Sequence, residues 1–263
     1  MVSGGMAVSL RGVSKIYANG VKALDSLDFD VRPGEFVSLL GVSGCGKSTA
    51  LRIIAGLSEA TGGTAERPSP AVHAVDGEAG GRIGFVFQEP TLMPWATVAR
   101  NVRLPLDLKW WPPGKAVARV EVVLAQVGLQ DFAGAYPREL SGGMKMRVSI
   151  ARALVNEPGL LLMDEPFAAL DEITRFRLND DLLRLWRALG KTVVFVTHSV
   201  FESVYLSNRV LIMTPRPGRV FAEVAIEAAH PRGEGFRTSA EYAGLCRRAS
   251  QALAAASTAR GEP

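Results

Sequence analysis

Gly41-Val42-Ser43-Gly44-Cys45-Gly46-Lys47-Ser48 follows the largely apolar run Phe36–Leu40 and leads into Leu51, Ile54 and Ala55 at helical spacing. It fits the pattern G-x-x-x-x-G-K-[ST] between a buried strand and a helix, the setting in which that string has a physical meaning. Three glycines permit a tight loop whose N–H groups turn inward around an anion. The start of the following helix adds partial positive charge. Lys47 is placed to bridge the β- and γ-phosphates of a nucleotide, and Ser48 to offer its hydroxyl to Mg²⁺. Cys45, inside the loop, has two readings: a thiol made reactive by the helix N-terminus, or simply a small loop residue.

Outward from this loop, the first 40 residues alternate short apolar runs with turns. Val8–Leu10 and Leu24–Val31 read as strands, with Asn19-Gly20 and Pro33-Gly34 as turns. Leu160–Met163 and Val193–Val196 are continuously apolar and Phe36–Leu40 nearly so, as parallel strands covered on both faces are. Leu178, Leu182, Leu185, Trp186 and Leu189 form a helical stripe between those two runs, with Gly190 as its stop. Strands alternating with helices predict an α/β domain with a largely parallel sheet.

The stretch from about Glu89 to Glu157 differs. Prolines and tryptophans punctuate it, and helical periodicity follows at Val120, Val123, Leu124 and Val127. It reads as a helical insertion between two strand-bearing halves. Val210–Met213 and the alternating Val220, Ala222, Val224 and Ile226 predict late strands. The Ala-rich tail, with Tyr242, Leu245, Ala249 and Leu253 on one stripe, predicts one docked helix. The domain reading is therefore residues 1–228 as one nucleotide-binding domain, with 89–157 inserted, and 229–263 as a C-terminal extension.

The chain has 263 residues, 48% hydrophobic and 21% charged, which excludes disordered, collagenous and coiled-coil classes. Area scaling leaves roughly 30,000 Å² to bury on folding, enough for a conventional core. Cys45 and Cys246 lie too far apart in sequence for a disulfide framework or a zinc site, so a reducing compartment is expected. The opening MVSGGMAVSLRG has neither a basic n-region nor an apolar h-region, and no apolar run reaches the roughly 20 residues of a membrane span. The net charge of +4 suits phosphate ligands or an anionic surface without selecting one.

A second set of residues bears on the same chemistry. Leu160–Met163 ends in Asp164-Glu165-Pro166, an acidic pair at the carboxyl end of a buried strand, where open α/β sheets bind ligands. Asp164 is suited to Mg²⁺ and Glu165 to orienting or deprotonating an attacking water. Leu140-Ser141-Gly142-Gly143-Met144 precedes a helix expected over Lys145–Leu154, with Ser141 as its N-cap. Gln88 follows the apolar Ile83–Phe87, and His198 follows Val193–Thr197. His73 and His230 lie in polar stretches and read as solvated surface residues.

In this order, the phosphate loop, Gln88, LSGGM, LLLMDEP, Ala168-Ala-Leu-Asp171 and His198 resemble the nucleotide-binding subunits of the ATP-binding cassette (ABC) family, over about Val8 to Ile226. The resemblance implies a P-loop NTPase fold with a mostly parallel core sheet, an N-terminal antiparallel β subdomain and an inserted helical subdomain. It implies ATP and Mg²⁺ held by Gly41, Val42, Ser43, Gly44, Cys45, Gly46, Lys47, Ser48 and Thr49, with Ser48, Gln88 and Asp164 toward the metal. Ser141, Gly142 and Gly143 of a second copy would close the site in a head-to-tail dimer. Glu165 would be the general base, His198 a γ-phosphate contact, Gln88 a metal and water ligand, and Asp171 a cross-dimer link. Tyr17 matches the aromatic that stacks on adenine, although an aromatic there is also an ordinary core residue. Met144, Met146, Ala168 and Ser199 depart from the commonest family residues without removing a phosphate, metal or proton-transfer group.

The string LMPWATVARNV, with HSVFESVYLSNRVLIM and Arg216-Pro-Gly-Arg219, is similar to the nitrate/sulfonate/taurine-type importer ATPases, a group that also serves pyrimidine-like solutes. This implies a subunit peripheral to the cytoplasmic face of a bacterial inner membrane. It would energise uptake through a separate permease, with a solute-binding protein as an indirect partner and no nucleic acid. Leu92, Met93 and Trp95 have two readings, an exposed docking loop for the permease or packing beneath the helical insertion. An exporter ATPase and a non-transport cassette ATPase are the alternatives. One uninterrupted cassette argues against the latter, and the absence of fused spans against the former.

Overall fold

The computed structural model describes residues 7–67 and 83–258. In chain order its elements are β1 (Val8–Ile16), β2 (Lys22–Val31), β3 (Phe36–Leu40), α1 (Lys47–Ile54), β4 (Gly62–Glu66), β5 (Ile83–Val86), α2 (Val98–Asp107), α3 (Pro113–Gln126), α4 (Gly142–Leu154), β6 (Leu160–Asp164), α5 (Glu172–Leu189), β7 (Thr192–Thr197), α6 (Val200–Leu206), β8 (Arg209–Met213), β9 (Val220–Ala225), α7 (Glu234–Arg237) and α8 (Ala240–Thr258). The described residues form two compact units, residues 7–67 with 190–258, and residues 83–189.

The first unit is built on two sheets. One is antiparallel, in the order β2-β1-β4. In the other, β3 pairs in parallel with both β7 and β8, and β9 closes on β8 antiparallel. All five residues of β3 are buried, as expected for a strand flanked on both sides. Its one polar residue, Ser38, shares a 2.5 Å hydrogen bond with Ser207 instead of facing apolar atoms unpaired. Arg209, at the start of β8, donates to Glu35 at 2.6 Å and to the main-chain carbonyl of Asp30 on β2 at 2.6 Å, tying the two sheets. On α8 the buried residues Tyr242, Leu245, Cys246 and Ala249 recur at three- and four-residue steps, and Ala256 continues the stripe two turns on. That face packs on α6, β8 and β9.

β4 was not expected from the sequence. Gly62-Gly-Thr-Ala-Glu66 has no apolar alternation, and the strand exists through its pairing with β1. A Cβ on Gly63 would stand 2.3 Å from the Gly12 carbonyl oxygen, so only glycine allows this approach. β1 also runs on to Ile16, six residues past the expected end, through register shifts after Leu10. Gly12 in that stretch has φ +57°.

In the second unit β5 and β6 pair in parallel, from Ile83 opposite Leu160 to Val86 opposite Met163. Between them in sequence come α2, α3 and α4. Thr97 caps α2 by accepting from the Arg100 N–H. Arg119 on α3 donates to the carbonyls of Leu154 and Val155, satisfying the end of α4. The helix after Ser141 begins at Gly142, three residues before the expected Lys145, because both glycines take helical geometry once Ser141 caps it. α5 ends at Leu189, and Gly190 follows with φ +58°, the stop expected of it.

His230 is half-buried, with both ring nitrogens shielded from solvent, which corrects its reading as a solvated surface residue. His73 lies outside the described residues. Among the described residues no helix is long and apolar enough to cross a membrane.

Candidate functional site

In the first unit β3 delivers the phosphate loop. Gly46 caps α1 at φ +110°, and Gly44 has φ +76°, conformations that L side chains rarely adopt. A Cβ on Gly46 would stand 2.7 Å from the Ala23 carbonyl oxygen, and one on Gly41 would stand 2.8 Å from the Cys45 sulfur. The loop therefore requires its glycines sterically as well as conformationally. Val42, Ser43 and Gly44 form an exposed crown above buried Cys45, which is 1% exposed. This favours the reading of Cys45 as a small packing residue. Lys47 is 4% exposed, and its ammonium donates to the carbonyls of Gly41 at 2.8 Å and Val42 at 3.1 Å. The ammonium charge is thus held within the loop itself.

Leu40 at the end of β3 pairs with Thr197 at the end of β7. Gly41 and His198 thus leave the sheet at the same, carboxyl, end, where ligands of open α/β sheets bind. His198 is exposed. Its neighbours form a closed ring of bonds: the Thr197 hydroxyl donates to Glu202 at 2.5 Å and accepts from the Ser199 N–H at 3.0 Å. The Ser199 hydroxyl in turn accepts from the Glu202 N–H at 3.3 Å and caps α6. Tyr17 is 37% exposed, so it is not a core residue, and its hydroxyl lies 3.1 Å from that of Thr49. The Lys15 ammonium stands 5.5 Å from its ring centre. Ser48 and Thr49, in the first turn of α1, are half-buried.

Arg216 was quoted from the sequence only as part of a subgroup signature. The structure gives it a partner: its guanidinium donates twice to the Gly44 carbonyl oxygen, at 3.1 and 3.0 Å. Gly218, two residues on, is so close beneath the loop that a Cβ would stand 2.2 Å from the Cys45 carbonyl oxygen. Its N–H donates to Ala23 on β2 at 2.9 Å.

In the second unit the pairing of Val86 with Met163 sends Gln88 and Asp164 out of one end of the β5–β6 pair. Gln88 is exposed and Asp164 half-buried. Glu165, next to Asp164, has φ +46°, a backbone state costing roughly 1–3 kcal/mol for a residue with a side chain, of the kind that clusters at functional sites. Its carbonyl accepts from the Ala168 N–H at 3.2 Å, and Pro166 and Phe167 bury behind it.

Ser141 and Gly142 are exposed at the start of α4, and the Ser141 hydroxyl accepts from the Met144 N–H. Gly143 is buried, where a Cβ would stand 2.8 Å from the Thr174 methyl carbon. The start of α4 therefore abuts the start of α5, where exposed Asp171 accepts from the Thr174 N–H at 2.9 Å. That bond holds the Asp171 carboxyl below the usual carboxylate range.

The loop after Gln88 is held by two residues that sequence reasoning missed. Arg152 on α4 donates to the carbonyls of Pro90 at 2.7 Å and Thr91 at 2.9 Å. Asn101 on α2, fully buried, accepts from the Met93 N–H at 2.7 Å and donates to the carbonyls of Met93, Ala96 and Thr97. Trp95, on the loop so held, is 76% exposed, while Leu92 and Met93 are half-buried. Trp95 does not pack beneath the helices.

Among the described residues no group of three His, Cys, Asp or Glu side chains is placed to hold a metal ion. Mg²⁺ is ordinarily bound by one or two side chains with water and phosphate oxygens, so a hydroxyl and a carboxylate match it better than a cage would.

The profile of the ABC transporter family matches residues 24–168. An uncharacterized ABC transporter ATP-binding protein of Methanocaldococcus jannaschii is 47% identical over 238 residues, 89% of this chain and 86% of that protein. The aliphatic sulfonates import ATP-binding protein SsuB of Bacillus subtilis is 44% identical over 225 residues, 86% of this chain and 84% of SsuB. Among solved structures, a dimeric post-hydrolysis ATP-binding cassette bound to ADP and Pi is similar with a TM-score of 0.70 and 34% identity, covering 84% of this chain and 100% of that one.

Proposed function

The chain belongs to the ABC transporter family, as an ATP-binding subunit with the family's P-loop fold, and from that premise we propose that it hydrolyses ATP to drive uptake of a small solute through a separate permease. The observation that carries the nucleotide part is the phosphate loop: glycines at positive φ, and a buried Lys47 ammonium turned onto loop carbonyls. Lys47 and the N–H groups of residues 41–49 neutralise and orient the phosphates. Tyr17 offers its exposed ring to the base. Ser48, Gln88 and Asp164 would hold Mg²⁺, which when bound would supply charge neutralisation to the phosphates.

Glu165 takes the proton of the attacking water, and the water oxygen bonds to the γ-phosphorus as the bond to the ADP oxygen breaks. His198 donates a hydrogen bond to the γ-phosphate. Ser141, Gly142 and Gly143 of a second copy cover the same group, and Asp171 links the copies. The exposure of Ser141 and Gly142 at a capped helix start supports this role, as does the dimeric form of the related cassette. Phosphate charge then favours a closed dimer, and hydrolysis weakens it.

The import direction rests on likeness to the SsuB relatives, whose names state sulfonate import. Solutes of the nitrate, sulfonate, taurine or pyrimidine kind fit that group. An exposed Trp95 on a loop held by Asn101 and Arg152 supports docking to a permease helix on the cytoplasmic face of the membrane. The test is affinity purification of the full chain from detergent-solubilised membranes. A multi-span permease accompanied by a solute-binding protein is expected; recovery of a translation or DNA-repair assembly in their place would overturn the transport reading.

A further inference from the structure

α6 has only seven residues, and isolated helices under about 12 residues are marginal in water, so its geometry must come from what packs on it. The residues that grip it come from the C-terminal segment. Arg232 is 4% exposed, and one guanidinium nitrogen donates to the carbonyls of Val204 at 3.1 Å, Tyr205 at 2.9 Å and Ser207 at 2.8 Å. These carbonyls belong to the last turn and C-cap of α6, positions for which a helix supplies no hydrogen-bond donor of its own. Its other terminal nitrogen donates to Ala228 at 3.0 Å. Burial among carbonyls lowers the Arg232 pKa to about 10, which leaves it charged at neutral pH.

The first turn of α6 is gripped as well. The Tyr242 hydroxyl of α8 donates to the Phe201 carbonyl at 3.0 Å. The Tyr205 hydroxyl donates back to the Arg232 carbonyl at 2.8 Å, and the Arg237 guanidinium lies 3.8 Å from the Tyr205 ring centre. α6 is thus bound at both ends by residues 232–242. Its N-terminus is continuous with His198 through the ring of bonds among Thr197, Ser199 and Glu202.

We propose that Arg232 and Tyr242 are positioning residues for hydrolysis: the C-terminal segment clamps α6 and thereby sets where His198 stands. The inference rests on the reading of His198 as the γ-phosphate contact and gives the extension beyond residue 228 a part in the reaction. A displaced α6 would act first on the imidazole, which directly precedes its N-cap, and would reach the phosphate loop only through the Ser207–Ser38 bond to the middle of β3. Loss of the clamp should therefore lower kcat and spare nucleotide affinity.

The experiment uses the full chain. Tyr242→Phe keeps the ring and removes the hydroxyl, the donor to Phe201 and the partner of the Cys246 thiol, and Arg232→Lys keeps the charge with fewer donors. Each is made alone and with His198→Ala, and kcat, ATP Kd and Tm are measured. Each single variant is expected to lose five- to tenfold in kcat with less than a twofold change in Kd. Against the residual rate of His198→Ala, each should cost less than twofold. With only three histidines in the chain, NMR of labelled imidazoles gives a readout independent of turnover, and the His198 signal should shift in Tyr242→Phe. Equal losses with and without His198, or an unmoved His198 signal with full kcat in Tyr242→Phe, would overturn the clamp. Should Arg232→Lys fail to fold, Tyr242→Phe still decides. Full turnover in His198→Ala would instead remove the role of His198 itself, a separate failure.

Discussion

The Arg216 guanidinium hydrogen-bonds the carbonyl oxygen of Gly44, 172 residues earlier in the chain, through both Nε and Nη2. Gly44 is one of the two loop glycines at positive φ, and a carbonyl fixed by a cation cannot rotate into the space where the loop's N–H groups meet phosphate. The strap carrying Arg216 also fits its Gly218 against Cys45. Arg216→Ala is therefore expected to weaken ATP binding by about fivefold, the worth of about one hydrogen-bond increment of 1 kcal/mol at an exposed site. Lys47→Ala should cost far more. Calorimetric titration of both variants checks this, and an Arg216→Ala affinity equal to that of the native chain would show the contact to be incidental.

Glu165→Gln keeps the shape and the left-handed backbone of the residue but loses the proton acceptor. Turnover should fall by at least about a hundredfold, the usual scale of general-base catalysis, while ATP still binds. The variant should then accumulate as a dimer at saturating Mg-ATP. Light scattering after size exclusion reads this directly, and a monomer under those conditions would contradict the sandwich mechanism.

Trp95 is 76% exposed, so its truncation removes little packing. Trp95→Ala should change stability by no more than about 0.5 kcal/mol and leave the isolated ATPase rate intact. Recovery of the permease in a detergent pull-down should fall. A large drop in Tm would mean that the side chain supports the fold.

Asn101 is the opposite case. Its buried amide bonds four main-chain groups of residues 93–97, so Asn101→Ala leaves several polar groups without partners. A loss of about 2–3 kcal/mol is expected, at about 1–3 kcal/mol for each buried group left unsatisfied and partial relief by water. Urea unfolding measures it, and a shift below about 0.5 kcal/mol would refute this account of the loop.

Three carboxyls contribute to the acid limb of stability. The Lys22 ammonium and then the Arg219 guanidinium lower the pKa of Asp25, Arg11 lowers that of Asp30, and the Thr174 N–H lowers that of Asp171, each from an ordinary 3.8. A folded-state pKa below the unfolded one means the unfolded chain binds protons first, so the stabilisation is present above about pH 4 and drains away as pH falls below it. Asp25→Asn, Asp30→Asn and Asp171→Asn should each flatten the decline of Tm below pH 4, and a decline as steep as in the native chain would count against these pairings.

How much of this was legible in the chain depends on the range of the interaction. Phe36–Leu40, the glycines of the phosphate loop, the Ser141 cap and the stripe of α5 could be read because each rests on neighbours within a few residues, through periodicity, φ preference or a cap. The residues proposed for the chemistry were singled out in the same way, as short strings at strand ends. Position relative to one another was not. That Gly41 and His198 leave one end of a sheet follows from Leu40 pairing with Thr197, a register that no local pattern encodes. β4 escaped notice because Gly62–Glu66 has no apolar signal and becomes a strand only against β1.

Sequence by itself determined the class of fold and the kinds of side chain proposed to meet phosphate, metal and water, since local sterics and hydrophobic period suffice to single them out. Tertiary structure alone decided what steadies them: Arg216 on Gly44, Asn101 on the Trp95 loop, and Arg232 on the end of α6. In each case the acceptor is a main-chain carbonyl. Every residue carries one, so the partner of such a side chain leaves no trace in the order of amino acids and is chosen only when the chain closes on itself.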